Sequence, residues 1–315
     1  MDEFEIIRRY FTPEKKSDSV IVGVGDDGAV LRPDPGRDLI TVVDALVAGV
    51  HFPENCRPVD VGYRAVAVNV SDIAAMGGRP RWMTLALTLD KTYQAFVEDF
   101  ATGIALAAEA FGVELVGGDL THGTEIVVSV QVTGDVEPDL TITRRGAKPG
   151  DGIYVSGTPG DASLGLSIIQ SGQPLNDELA TLINRFIRPD ARVELGQAIA
   201  PHVSAGIDVS DGLFGDLEKV LQASNVSGCI EINDIPMSPE LINTLDEEDR
   251  LRFVLGGGDD YELCFTAPSA DFFASGEVAG VAVTRIGQVG KGSGLSCTRD
   301  GKAYDYHDDG YRHFS

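Results

Sequence analysis

Residues 61–78 read VGYRAVAVNVSDIAAMGG, and this stretch decides how the N-terminal half folds. Apolar residues fall on nearly every side of a helical wheel, so the helix they form is wrapped in protein. Asp60 is placed to cap its start, and Gly77 and Gly78 stop it after Met76. Asn69 and Asp72 are three apart and share one side of this helix. A carboxylate in such surroundings is costly unless a cation or hydrogen bonds compensate it.

Working outward, a short helix is expected at 4–10 and strands at 20–24 and 38–44. After the buried helix come a strand at 81–89, a helix capped near Thr92 and stopped by Gly112, and strands at 113–117 and 125–134. This β-β-α-β-α-β-β order predicts a sheet backed by helices on one face. The polar segment 135–150, DVEPDLTITRRGAKPG, marks a boundary between domains at 1–137 and 138–315. The second half opens with a strand at 152–156, and GTPGDASLGLSII then makes a glycine-rich turn and helix. Helical patterns fill 176–200, the strand end AGIDVS leads into a helix at 211–223, and a mixed tail follows. The fold class is α/β (α+β), in two domains.

The chain has 315 residues, 43% hydrophobic and 23% charged, the balance of a soluble globular protein. A formal charge of −24 argues against nucleic acid and against an anionic membrane surface as partners. No apolar run is long enough to span a bilayer, and the acidic start MDEFEIIRRY is not a signal peptide, so a cytoplasmic location is expected. Cys56, Cys229, Cys264 and Cys297 are too scattered for a zinc site and read as isolated reduced thiols.

Six aspartates stand out for lacking Lys or Arg close by in sequence: Asp27, Asp44, Asp72, Asp119, Asp208 and Asp211. Their number and placement point to a divalent cation. Asp44 and Asp119 close apolar runs, at LITVVD and ELVGGD, where α/β folds place ligands at strand ends. Asp208, Ser210 and Asp211 sit at a strand-to-helix junction, where they serve either as a plain N-cap or as a metal–phosphate site. Gly256–Gly258 beside Asp259 and Asp260 form a second loop of this kind. GTPGDASLG fits an anion or an ordinary cap, and Arg144 and Arg145 fit a phosphate or a surface ion pair. Gly23, Gly25 and Gly28 spell GxGxxG, but Pro33 and Pro35 follow and forbid the helix that a dinucleotide fold requires. No Walker A loop exists, and no side-chain nucleophile is paired with a base.

Ten blocks in fixed order resemble the thiamine-monophosphate kinases, relatives of aminoimidazole ribonucleotide synthetase and selenophosphate synthetase. They are GVGDDGAVL, VDALVAGVHF, AVNVSDIAAMGG, LALTL, VGGDLTHG, TRRGAKPGD, VSGTPGDASLGL, IDVSDGLFGDL, GGGDDYELCF and GYRHF, and they span 23–314. The resemblance implies transfer of phosphate from ATP to thiamine monophosphate with several Mg²⁺ ions, in a homodimer built through the N-terminal domains. Matching positions give Asp27, Asp44, Asp72, Asp119, Asp208 and Asp211 as metal ligands. Val42 and Val43 stand where the family has hydroxyl residues, and offer the metal only backbone carbonyls. ATP contacts fall on Gly118, Asp119, Arg144 and Ser210. Substrate contacts fall on His51, Tyr311 and Asp259, the last replacing a family Glu. The rival readings are a sister ATP-using synthetase and a non-catalytic, cation-binding acidic dimer. Selenide activation is disfavoured because no cysteine precedes Cys56.

Overall fold

A computed structural model describes residues 2–13, 16–90, 93–172, 174 and 176–306. Thr92, Tyr311 and the terminal GYRHF block lie outside the described residues. The chain divides into two compact units, Met1–Ile73 with Gly78–Asp139, and Ala74–Gly77 with Leu140–Ser315. The division after Asp139 falls inside the polar segment 135–150.

In the first unit α1 (Glu3–Ile6) runs on into a π-helical turn, Ile7–Phe11. Next come β1 (Val20–Val22), β2 (Val30–Leu31), β3 (Asp38–Val47), α2 (Pro58–Ala75) and β4 (Arg79–Leu89). Then follow α3 (Tyr93–Phe111), β5 (Glu114–His122) and β6 (Val127–Val136). The four long strands form one sheet in the order β3-β6-β4-β5. Only β4 and β5 run parallel, and α3 supplies the crossover that such a pair needs.

The helix α2 ends as its sequence predicts. Gly77 takes φ 72°, and the Gly77 and Gly78 amides donate back to Ala74 and Ile73 carbonyls, both at 2.9 Å. Its start differs: the helix begins at Pro58, so Asp60 lies in the first turn and is not the cap. Val61, Val66, Ala67, Val70 and Ile73 are buried. A methyl group at Gly103 would lie 2.0 Å from the Val59 carbonyl oxygen, so glycine lets α2 and α3 meet backbone to backbone. Along β6, Val128, Val130 and Val132 are buried and alternate with Ser129, Gln131 and Thr133 on the opposite face. On that opposite face the paired β3 residues are Ala45, Val43 and Thr41, which are exposed and uncharged.

The second unit contains β7 (Gly152–Ser156), α4 (Asp161–Ser171), α5 (Asp177–Ile187), α6 (Val193–Ile199) and β8 (Ala205–Asp208). It continues through α7 (Leu213–Ser224), β9 (Ser227–Glu231), α8 (Pro239–Thr244), α9 (Glu247–Gly256) and β10 (Leu263–Ala267). It closes with β11 (Glu277–Val278), β12 (Val281–Gly290), β13 (Gly294–Arg299) and β14 (Lys302–Tyr304). The sheet order is β14-β13-β9-β12-β7-β10-β8, with β11 on β12. Both faces are covered. Ile153 and Val155 of β7 join a core with residues of α4, α7 and α9, while Tyr154 between them joins another with Leu195 and Ile199 of α6. The cysteines are unpaired, and burial pushes the Cys297 thiol up to about 11, which keeps it inert.

Candidate active site

In the second unit β8 delivers Asp208 to its last position, and a loop carries Ser210 and Asp211 to the start of α7. The cap expected of Ser210 or Asp211 is not made. Gly212 holds the cap position at φ 128°, and the acceptor comes from inside the helix. Asp216 Oδ2 accepts from the Ser210, Asp211 and Gly212 amides at 2.9, 2.9 and 3.2 Å. Lys219 Nζ donates to Asp216 Oδ1 at 2.8 Å and to Asp211 Oδ2 at 2.5 Å. Asp211 therefore has a lysine partner, contrary to the reading of six acids without cations. Burial pushes the Asp216 carboxyl up, against the pull of Lys219.

The GGGDD loop lies against this one. The Asp259 amide donates to the Ser210 carbonyl at 2.8 Å, and the Tyr261 amide to the Val209 carbonyl at 2.8 Å. A methyl at Gly258 would stand 2.3 Å from Ser210 O, so the glycine permits the approach. Asp259 itself takes φ 70°. Asp208, Ser210, Asp211 and Asp259 are thus gathered on two adjoining loops. Arg144 is exposed, and its carbonyl accepts from the Ser224 hydroxyl at the end of α7. The anion at the α4 N-terminus proves to be internal: Asp260, buried, accepts from the Gly160 and Ala162 amides at 2.6 and 3.0 Å.

The first unit holds two groups of predicted residues. Asp27, Gly118 and Asp119 line a cavity of about 390 Å³. Asp44 and Asp72 belong to the other group. The Asp44 amide donates to Asn69 Oδ1 at 2.9 Å, and the buried Asn69 in turn donates to the Ala65 carbonyl at 2.9 Å. Asp72 follows Asn69 by one helical turn, half-buried. Neither Asp44 nor Asp119 ends its strand, because 45–47 and 120–122 go on pairing. Asp44 pairs with Val130, Val130 with Leu85, and Leu85 with Gly118. The two groups therefore stand at opposite edges of one sheet, three strand spacings or about 14 Å apart.

His51 Nδ1 accepts from the Val47 amide at 3.0 Å, which leaves the ring proton of the neutral imidazole on Nε2.

Residues 25–136 match the family described as AIR synthase related protein, N-terminal domain, and residues 148–300 the corresponding C-terminal domain. The chain is 40% identical to the thiamine-monophosphate kinase of Escherichia coli K12 over 99% of its own length and 98% of that protein. Against the kinase of Salmonella typhimurium LT2 the identity is 39%, with the same coverage. The chain belongs to the thiamine-monophosphate kinase family. It is an enzyme of that class. The thiamine-monophosphate kinase structure from Stenotrophomonas maltophilia K279a superposes with a TM-score of 0.84 at 38% identity, covering 91% of this chain and 93% of that one. A structure of AaThiL complexed with AMPPCP and TMP superposes at 0.78, with 33% identity and coverage of 92% and 91%.

Among the described residues no three His, Cys, Asp or Glu side chains come close enough to cage a metal ion. Magnesium does not require a cage. It is commonly held by one or two carboxylates together with substrate phosphates and water, and Asp27 and Asp119 on the walls of one cavity are oxygen donors of that kind. No described helix is long and apolar enough to cross a membrane. The sequence reading missed Asp216 and Lys219, and it named Asp260 as part of the GGGDD loop without its role as acceptor at the α4 N-terminus. For Asp216 and Lys219 a signal existed: an acid and a base three apart, one turn of a helix, just after the strand-to-helix junction.

Proposed function

We propose that the protein transfers the γ-phosphoryl group of ATP to the phosphate of thiamine monophosphate, giving thiamine diphosphate and ADP. The carrying observation is the full-length match to thiamine-monophosphate kinases at about 40% identity. The acceptor oxygen already bears negative charge near neutral pH, so it needs no general base. A phosphate oxygen of the acceptor attacks the γ-phosphorus in line, the bond to the β-bridging oxygen breaks, and no phosphoenzyme forms. Mg²⁺, when bound, supplies positive charge between donor and acceptor oxygens. Asp27, Asp44, Asp72, Asp119, Asp208 and Asp211 would hold it, with the backbone carbonyls of Val42 and Val43 as further oxygens.

Gly118, Asp119, Arg144 and Ser210 bind ATP in this reading, and His51, Asp259 and Tyr311 bind the acceptor. The first unit is the ATP- and metal-binding, dimer-forming domain, and the acids of the second serve the same transfer. The assay is ATP, Mg²⁺ and thiamine monophosphate with thiamine diphosphate as readout. Product with inverted configuration at an isotopically chiral γ-phosphate is expected. Turnover only with an amide-forming acceptor, or retention of configuration, would overturn the reaction or its in-line course.

A homodimer fits the exposed, uncharged stretch Thr41, Val43 and Ala45 of β3, where Val43 is 65% exposed. In a closed pair the β5 edge of one copy can meet the β3 edge of the other, uniting acid groups that one chain keeps apart. Mixing Asp72→Asn with Asp119→Asn copies is then expected to restore part of the activity that each lacks alone. No recovery after co-refolding would count against a shared site.

A further inference from the structure

We infer that Asp260 is a positioning residue for the acceptor site: it fastens the loop that presents Asp259 to thiamine monophosphate, an assignment that rests on the kinase reading. Asp260 lies between α9 and β10 and is 2% exposed. Its two oxygens go to two amides of another element. Oδ2 accepts from Gly160 at 2.6 Å and Oδ1 from Ala162 at 3.0 Å, both at the start of α4. On either side of Asp260 the backbone is left-handed, with Asp259 at φ 70° and Tyr261 at φ 54°. That region is unfavourable for most side chains and most of all for a bulky one. Residues held there persist only where their surroundings over-determine them, and they cluster at ligand sites. Here the amides of both donate to the β8–α7 loop, Asp259 to the Ser210 carbonyl and Tyr261 to the Val209 carbonyl, each at 2.8 Å. The Tyr261 hydroxyl also reaches Asp259 Oδ1 at 3.4 Å. The segment is held from two directions: its backbone by the loop of Asp208 and Asp211, its buried carboxylate by α4.

A plain helix cap does not account for this arrangement. An N-cap is ordinarily a Ser, Thr, Asp or Asn beside the helix in sequence. In α4 that position is Gly160, at φ 95° and with no capping side chain, and its amide goes to an acid 100 residues away. Gly160 is wedged against α9, where a methyl group would stand 2.9 Å from the Val254 nitrogen. Gly257 is wedged against α4 in turn, where a methyl would stand 2.1 Å from Ser163 Oγ. The loop thus has no slack on its α4 side, and Asp260 adds a charged link there. The two loops of the site have separate anchors. Ser210, Asp211 and Gly212 hang on Asp216, and Asp259 hangs on its neighbour Asp260. Loss of Asp260 should therefore disturb the acceptor contact and spare the ATP contact at Ser210.

The test is calorimetric binding of AMPPCP with Mg²⁺, and then of thiamine monophosphate to that complex. It compares the wild-type chain with Asp260→Asn, Asp260→Ser, Asp259→Gly and the double variant of Asp259→Gly with Asp260→Asn. Asparagine keeps one acceptor and turns a donor toward the second amide, and serine keeps one oxygen without the charge. Glycine at 259 takes a φ of 70° freely and removes only the carboxylate. We expect thiamine monophosphate to bind at least tenfold more weakly in both Asp260 variants, with AMPPCP within twofold of wild type and circular dichroism unchanged. On the Asp259→Gly background Asp260→Asn should weaken binding no more than a further twofold, because a residue acting through Asp259 then has nothing left to position. Losses that multiply in the double variant would overturn the assignment. So would wild-type affinity in both Asp260 variants or in Asp259→Gly, an equal loss for AMPPCP, or collapse of the fold in both Asp260 variants. A wild-type chain that forms no thiamine diphosphate would instead sink the kinase reading.

Discussion

Glu262→Ala is expected to lower the melting temperature by about 10 °C. Glu262 is fully buried at the foot of β10. Its carboxylate receives the fork of Arg192, Nε at 2.8 Å and Nη2 at 2.6 Å, together with Arg185 and the Ser156 hydroxyl. One side chain thus ties α5, the start of α6, β7 and the loop that carries Asp259. Alanine would leave two largely buried guanidinium groups without their shared anion, at a cost of roughly 3–5 kcal/mol. Replacing Arg185 and Arg192 by Met in the same variant should recover much of the loss, since an apolar cluster of similar volume needs no counter-charge. A shift below about 3 °C in the single variant would show that the triad adds little.

The same residue sets a pH dependence. Burial alone would raise the Glu262 carboxyl, but the hydrogen bonds and charges of Arg192 and Arg185 outweigh it and hold it below the ordinary glutamate range. Its folded pKa is depressed, so its contribution is present above the unfolded value of about 4.3 and is lost as pH falls through the folded one. The wild-type chain should lose stability through this acid window more steeply than Glu262→Ala, as denaturant midpoints between neutral and acid pH would show.

What the residues revealed in advance follows the range of the interactions involved. The helix α2 was legible because its signals are local: an apolar surface all round and a Gly-Gly stop. The β13–β14 hairpin carries an equally local sign, Asp300-Gly301, both at positive φ. Strand lengths ran short in the reading because Asp44 and Asp119 look like strand ends, yet cross-strand pairing outweighs the poor strand propensity of one aspartate. The cap of α7 went to Gly212 with Asp216 because a carboxylate inside the helix can reach three amides at once. Asp260 at the α4 N-terminus, and Glu262 between two arginines, bridge about a hundred and about seventy residues of chain. No spacing rule covers such distances. The acids of the candidate site were legible by type and motif. Their division between two sheet edges follows from strand order, which a single sequence leaves open.

Asp72→Asn and Asp211→Asn are each expected to cut thiamine diphosphate formation at least about 100-fold, some 2.7 kcal/mol of transition-state stabilisation, while the chain stays folded. The substitution keeps the shape of the side chain and removes the charge that a cation would bind. At Asp72, half-buried on a helix otherwise wrapped in apolar groups, a neutral amide is easier to bury than a carboxylate. Its melting temperature should therefore hold or rise as the rate falls, a pairing that a purely structural acid would not give. At Asp211 the exposed carboxylate shares Lys219 with Asp216, and Lys219 keeps Asp216 after the change. Stability should then drop by no more than about 1 kcal/mol, the usual worth of a surface ion pair. Circular dichroism and thermal melts report the fold, and a magnesium titration of the residual rate reports the role. Near-wild-type turnover in both variants would remove these two aspartates from the metal site. A lost rate accompanied by collapse of the fold would make them structural instead.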